Sequence, residues 1–197
     1  GPLFVGKLTY GTYQDYMPNP GDLDNLMRHV RYNLGLWYGQ RLVPMEEVVE
    51  GYKTGKPCRV PMLYIAGYQP FEFTEEERAA LGDYLLNGGT LMGDATLGSP
   101  AFTESFLREI QLLFPKRQFD VLQVDHPIFR AFYPYTNVHY FEVEQGWERT
   151  SQGPPQLLGM NIGTRTAVIF TPYDMTCGWD EFYAPDPSVK VPEAPRS

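Results

Sequence analysis

The chain has 197 residues, 43% hydrophobic and 20% charged, enough to bury a core without disulfide or metal staples and unlike a disordered segment. A formal charge of −8 and a pI near 4.9 speak against a nucleic-acid or anionic-membrane partner, since either needs a basic face. No window reaches the roughly 18–20 apolar residues of a membrane span, so no direct insertion by this segment is expected. Cys58 and Cys177 are far apart, lack CxxC spacing, and fix neither a disulfide nor a compartment. The beginning lacks the basic, apolar, small-residue order of a signal peptide, and Gly1-Pro2 looks like a protease-cleavage scar, compatible with loss of a leader.

Taken in order, Phe4 to Tyr10 alternates and predicts a strand, with Phe4, Gly6, Leu8 and Tyr10 on one face and Val5, Lys7 and Thr9 on the other. After the Pro18-Asn19-Pro20-Gly21 break, Asp22 reads as the N-cap of a helix. Leu23, Leu26, Met27, Val30 and Leu34 give it one apolar face, and Gly35 ends it. Leu42 to Val49 is ambiguous between a short strand and a helical turn. Met62 to Ala66 predicts a buried strand that begins at about Val60. Thr74 and Glu77 then form a capping box, Leu81, Tyr84 and Leu85 the buried stripe of a helix, and Gly88-Gly89 its stop. Thr90 to Gly93 resumes extended chain. Ser99-Pro100 starts a further helix with Phe102, Phe106, Ile110 and Leu113 at helical steps, closed by Pro115.

Val138 to Val143 and Thr166 to Thr171 read as later strands. Such alternation predicts an α/β fold with a mostly parallel sheet covered by helices on both faces, because parallel strands need crossover connections. One domain over residues 3–183 is expected. Prolines at 185, 187, 192 and 195 without an apolar period make 184–197 a Pro-rich tail or linker.

These segments carry a family resemblance. Leu63-Tyr64-Ile65-Ala66-Gly67-Tyr68, the helix from Thr74 to Leu86, Gly88-Gly89-Thr90-Leu91-Met92-Gly93-Asp94, Leu113-Phe114-Pro115 and Asp125-His126-Pro127-Ile128-Phe129, in this order, resemble the bacterial domain of unknown function 4159. Thr171-Pro172-Tyr173-Asp174-Met175 with Gly178-Trp179 is similar to its later segment. The resemblance implies a flavodoxin-like, three-layer sandwich related to the class I glutamine amidotransferases, in a bacterial and often envelope-associated, for instance periplasmic, setting. It implies no activity.

Catalytic amidotransferases place a nucleophilic cysteine on a sharp strand-to-helix turn beside amides that stabilise an oxyanion. The corresponding turn here, Gly93 to Gly98, holds neither cysteine nor serine. A phosphate loop is excluded as well, because Leu97 and Gly98 stand where Gly-Lys is required. No HExxH, GxSxG or zinc-like spacing occurs, and neither a cofactor nor a metal is expected.

What stands is a polar constellation of Asp94, Asp125, His126 and Asp174 with Thr96, all near predicted strand ends, where doubly wound sheets collect ligand groups. Asp94 and His126 are the candidates for acid/base work. The structural readings are that Asp125 and His126 cap the turn before Pro127, that Asp94 caps or holds its loop, and that Asp174 is a turn residue. Tyr68, Phe71, Phe73, Tyr133, Tyr135, Tyr173, Trp179, Phe182 and Tyr183 add rings near these positions. Rings beside carboxylates suit sugars; core and loop packing is the plainer account of them. His29 and His139 read as structural or exposed. Two functions are therefore expected in order: a non-catalytic module binding a small molecule or a protein partner, then a carbohydrate-acting enzyme resembling the trehalose-utilisation branch of the superfamily. For either, Tyr68, Asp94, Thr96, Asp125, His126, Tyr173 and Asp174 are the expected ligand-binding residues. Asp94, His126 and Asp174 within hydrogen-bond reach in one open pocket would favour the enzyme, dispersed positions the binding module.

Overall fold

The computed structural model describes residues 4–131, 134–144 and 147–180; Tyr133, Phe182, Tyr183 and the stretch 184–197 lie outside them. In chain order the first elements are β1 (Phe4–Thr9), α1 (Tyr13–Tyr16), α2 (Asp22–Leu34), β2 (Gly39–Pro44), α3 (Met45–Thr54), β3 (Met62–Gly67), α4 (Glu75–Leu86) and β4 (Thr90–Ala95). A short 3-10 turn, Thr96–Gly98, leads into α5 (Pro100–Leu113). Then come β5 (Asp120–Val121), a 3-10 turn at Pro127–Phe129, β6 (Val138–Glu144), β7 (Trp147–Gly153), β8 (Leu158–Ile162), β9 (Arg165–Thr171) and α6 (Cys177–Asp180).

Seven strands form one sheet in the order β2-β1-β3-β4-β9-β8-β5, and β6 pairs with β7 apart from it. The first five strands of that order are parallel, whereas β8 and β5 are antiparallel additions. The alternating pattern thus gave the parallel part and missed the antiparallel edge. The segment expected as a strand at Val138 lies in a separate hairpin with β7.

β3 is buried on both faces, as parallel strands between helices are, and its alternation sorts the two layers. Leu63 and Ile65, with Leu8, Leu91, Val168 and Phe170, meet Val48, Leu81, Leu85, Phe102, Phe106 and Ile110 from α3, α4 and α5. Tyr64 and Ala66, with Met92, face Leu23 and Leu26 of α2 on the other side. Burial of each such large apolar side chain contributes about 1.5–3 kcal/mol. Gly93 is dictated by this packing: a Cβ there would come within 2.5 Å of the Phe106 ring and 2.9 Å of Phe170, two rings stacked 4.6 Å apart.

The local signals behave as their chemistry requires. Thr74 and Glu77 form the reciprocal capping box, Ser99 caps α5 through Phe102 N–H, and Gly35 ends α2 in the left-handed region. The ambiguous stretch resolves at Pro44, where β2 ends and α3 begins. One expectation is corrected: Gly21 is the N-cap of α2, and Asp22 is its first helical residue, completely buried. Its Oδ2 pairs with Lys7, while its Oδ1 accepts from Leu23 N–H in the first turn.

Candidate functional site

The strand order reverses between β1 and β3, and a buried polar network fills the α2 side of the sheet at this switch point, where such folds bind ligands. Lys7 on β1 is 2% exposed and Asp22 1%. The Lys7 Nζ donates to Asp22 Oδ2 at 2.7 Å and to the Asn19 carbonyl at 3.1 Å. Tyr64, beside Lys7 on β3, donates its hydroxyl to the same Asp22 oxygen at 3.1 Å. Burial, with Asp94 and Asp22 adding to it, pushes the Tyr64 phenol well above its ordinary range.

Asp94, opposite Ala66 on β3 and Thr171 on β9, is the other half of the network. It has no exposed surface. Its Oδ1 accepts from Met175 N–H at 3.0 Å and its Oδ2 from the Thr176 hydroxyl at 2.7 Å. Thr176 in turn accepts from Asn19 Nδ2 at 2.8 Å. The single carboxylate therefore fastens the segment after β9 onto the loop before α2, with Trp179 lying 6.3 Å from the Tyr64 ring. Burial raises the Asp94 carboxyl to about 7; the bonds from Thr176 and Met175 oppose this, and nearby Asp174 adds to it. The 174–176 segment covers Asp94, so the open cleft that would have favoured the enzyme does not form around it. It is neither a helix cap nor a local turn former, since its partners lie 81 and 82 residues away.

The strand-to-helix turn has its sharp point at Leu97, the only described non-glycine residue with positive φ, at +54°. Leu97 is 69% exposed and carries no nucleophile. Its N–H donates to Asp174 Oδ2 at 2.8 Å, which sets a carboxylate against the turn. Thr96 beside it is buried, and its hydroxyl has no hydrogen-bond partner among the described residues.

The sequence-predicted residues separate into two places. Asp94, Asp174, Thr96, Tyr173 and Tyr68 gather at the C-terminal strand ends, Tyr68 through its carbonyl, which accepts from Ser99 Oγ at 2.5 Å. His126 instead reaches Thr166 at the beginning of β9, with Nε2 3.0 Å from its hydroxyl, while Nδ1 accepts from Ile128 N–H at 3.2 Å. Because the Thr166 hydroxyl already donates to Asn161, the ring must carry its hydrogen on Nε2. His126 thus caps the 3-10 turn after it, and Asp125 is exposed. Thr171, the neighbour of Asp94, is five residue steps along β9 from Thr166, or about 17 Å of strand. His126 and Asp94 do not share a cleft.

Cys58 lies before β3, at the opposite end of the sheet, in a pocket of about 450 Å³ that Lys56, Arg59, Tyr84 and Gly88 also line. Burial pushes its thiol up, the reverse of what a nucleophile needs. Among the described residues no group of three His, Cys, Asp or Glu could hold a metal, and no helix is long and apolar enough to cross a membrane.

Sequence reasoning missed Lys7, Asn19, Asp22, Tyr64 and Thr176 as members of the network. The available signal was a lysine within an otherwise apolar run on β1, beside β3, whose own apolar run marks it as buried.

None of the curated proteins matches the chain. Among solved structures it is similar to a ThuA-like protein from Bacteroides uniformis, at 12% identity and a TM-score of 0.40, over 81% of this chain and 60% of that one. It is also similar to the mmIFT52 N-terminal domain, at 16% identity and a TM-score of 0.35, over 82% of this chain and 68% of that one. The chain thus spans less than two thirds of the ThuA-like chain. The family model described as a domain of unknown function, DUF4159, matches residues 5–196, and the chain belongs to that family.

Proposed function

We propose that this chain is a non-catalytic binding or assembly module of a larger, envelope-associated bacterial protein, built on a flavodoxin-like, amidotransferase-type three-layer fold whose reactive turn is empty. Support for the fold is the parallel order β2-β1-β3-β4-β9, which follows the flavodoxin pattern 2-1-3-4-5, with α2 on one face and α3 to α5 on the other. The single observation that carries the function is the turn itself. Leu97 occupies the strained position of a nucleophile elbow, and Asp174 occupies its amide. A carboxylate there repels the oxyanion that an acyl-transfer site must stabilise.

The alternative, a carbohydrate-acting enzyme using Asp94 and His126, needs two groups at opposite ends of β9 to meet. A small ligand, sugars included, would instead touch the rim of Tyr68, Tyr173 and Asp174, of which Tyr68 is 49% exposed.

Purified protein should release no ammonia from glutamine, and an electrophilic glutamine analogue should leave residues 93–99 unlabelled in peptide mass spectra. Ammonia release that disappears in Cys58→Ala or Cys177→Ala would overturn the non-catalytic reading.

A further inference from the structure

The two edges of the main sheet are finished differently. On one side β5 contributes two residues, too short to template another strand. On the other, β2 presents six residues hydrogen-bonded to β1 alone. An outer strand directs every second residue's N–H and C=O outward; β2 is blunted by Pro44 at its end and by Arg41, which pairs with Glu47 and donates to the Leu42 carbonyl at 3.2 Å, while its other outward groups have no strand partner among the described residues.

Side chains give that edge a chemical character. Gln40 and Leu42 stand opposite Val5 and Lys7, so they lie on the α2 side of the sheet, and Leu42 is 44% exposed. Gln40 Nε2 donates to Asp24 Oδ1 and ties α2 to the edge. Arg28 and Arg31 follow Asp24 at the fourth and seventh positions, so they prolong the same helical stripe. Both are exposed, and neither has an acidic partner among the described residues. The Arg31 guanidinium lies 3.5 Å from the centroid of the Trp37 ring, which is 65% exposed. A chain of net charge −8 thus sets two guanidinium groups without acidic partners among the described residues, one of them stacked on an exposed indole, on the helix that is tied to the β2 edge.

We infer that the β2 edge, with Arg28, Arg31, Trp37 and Leu42, receives an extended acidic segment of a partner protein as an added strand. Main-chain bonds to β2 supply the register, while alternate side chains supply the selection. Carboxylates on the α2 side meet Arg28 and Arg31, and apolar residues pack on Leu42 and Trp37. Charge complementarity selects an acidic strand over a neutral or basic one. The inference rests on the binding-module reading and names its partner class.

The test uses a fluorescein-labelled nonapeptide of alternating glutamate and valine, with anisotropy as the readout. The protein should bind it saturably. Peptides alternating lysine with valine, or glutamate with proline, should bind at least about tenfold more weakly, the first through charge and the second through lost main-chain donors. Arg28→Glu with Arg31→Glu should weaken binding of the acidic peptide by about tenfold and raise that of the lysine peptide, a reversal that misfolding cannot produce. Trp37→Ala should weaken binding severalfold. No saturable binding, equal binding of the proline peptide, an unchanged charge-reversed variant, or equal binding of an oligothymidine would each overturn the inference. So would a sedimentation mass showing that the edge is covered by a second copy. Absent peptide binding without ammonia release sinks only the edge; ammonia release sinks the binding-module reading whatever the peptides do.

Discussion

Glu109 and Asp94 have no exposed surface, yet they sit on opposite faces of the sheet in opposite electrostatic settings. Glu109, on α5, accepts from Arg78 Nε at 2.7 Å and from Phe73 N–H at 3.2 Å, with Arg108 at 3.4 Å. Asp94 has only neutral donors, Met175 N–H and the Thr176 hydroxyl. The nearest buried cation, Lys7, is committed to Asp22. A buried carboxylate with its own counter-ion is part of the scaffold. One held by neutral donors keeps its desolvation cost uncompensated, and the cost appears as a carboxyl raised to about 7. The polar face is accordingly where perturbation should have the largest and most pH-dependent effects.

The largest effect is expected from splitting the Lys7–Asp22 pair. Lys7→Met leaves the Asp22 carboxylate buried with only the Tyr64 hydroxyl and its own helix start, and should cost about 3–5 kcal/mol. Lys7→Met combined with Asp22→Leu removes both charges and should recover much of that loss. Urea unfolding of the single and double variants measures the difference. A double variant no more stable than the single would mean that the pair is not what holds this face.

The second effect sharpens the contrast between the carboxylates through pH. The folded Asp94 carboxyl, at about 7, lies above the ordinary 3.8, so between those values the folded protein holds a proton that the unfolded chain has released. Asp94 therefore contributes a fall in stability as pH rises from about 4 to about 7, levelling above that, and no more than about 4 kcal/mol in all at 1.36 kcal/mol per unit. Asp94→Asn stays neutral throughout and should flatten this part of the profile. Urea midpoints at several pH values compare the two proteins, and parallel profiles would reject the assignment.

This polar face is also what the sequence concealed. Helix caps and stops were legible because their chemistry is local: Thr74 reaches Glu77, Ser99 reaches Phe102, and Gly35 takes the left-handed conformation that ends α2. The strands at β3 and β4 were legible from apolar runs bounded by glycine. The network was not, because its bonds span 15, 42, 82 and 157 residues, and no periodicity encodes a partner that arrives from another loop. Asp94 drew attention as a carboxylate at the end of its strand, but nothing in the sequence announced that the 174–176 segment closes over it. His126 drew attention through its chemistry, and its hydrogen bonds turned out to be those of a cap.

The smallest effect concerns the turn where the two faces meet the outside. Leu97 holds φ +54° and ψ +23°, a conformation that costs an ordinary L-residue about 1–2 kcal/mol. Most of its side chain is in water, so truncation forfeits little burial. Glycine removes the steric cost while adding about 0.4–1 kcal/mol of unfolded-chain freedom to be lost on folding. Leu97→Gly should then stabilise the protein by about 0.5–1 kcal/mol, and the Asp174 bond, made to the backbone, survives the change. In a working enzyme such strain is retained because it presents a nucleophile; Leu97 presents none, so relieving it should raise the melting temperature without touching any binding at the β2 edge. A destabilised Leu97→Gly protein would show that the leucine side chain is held by contacts stronger than its exposure implies, and the turn would then need a role in binding to explain its shape.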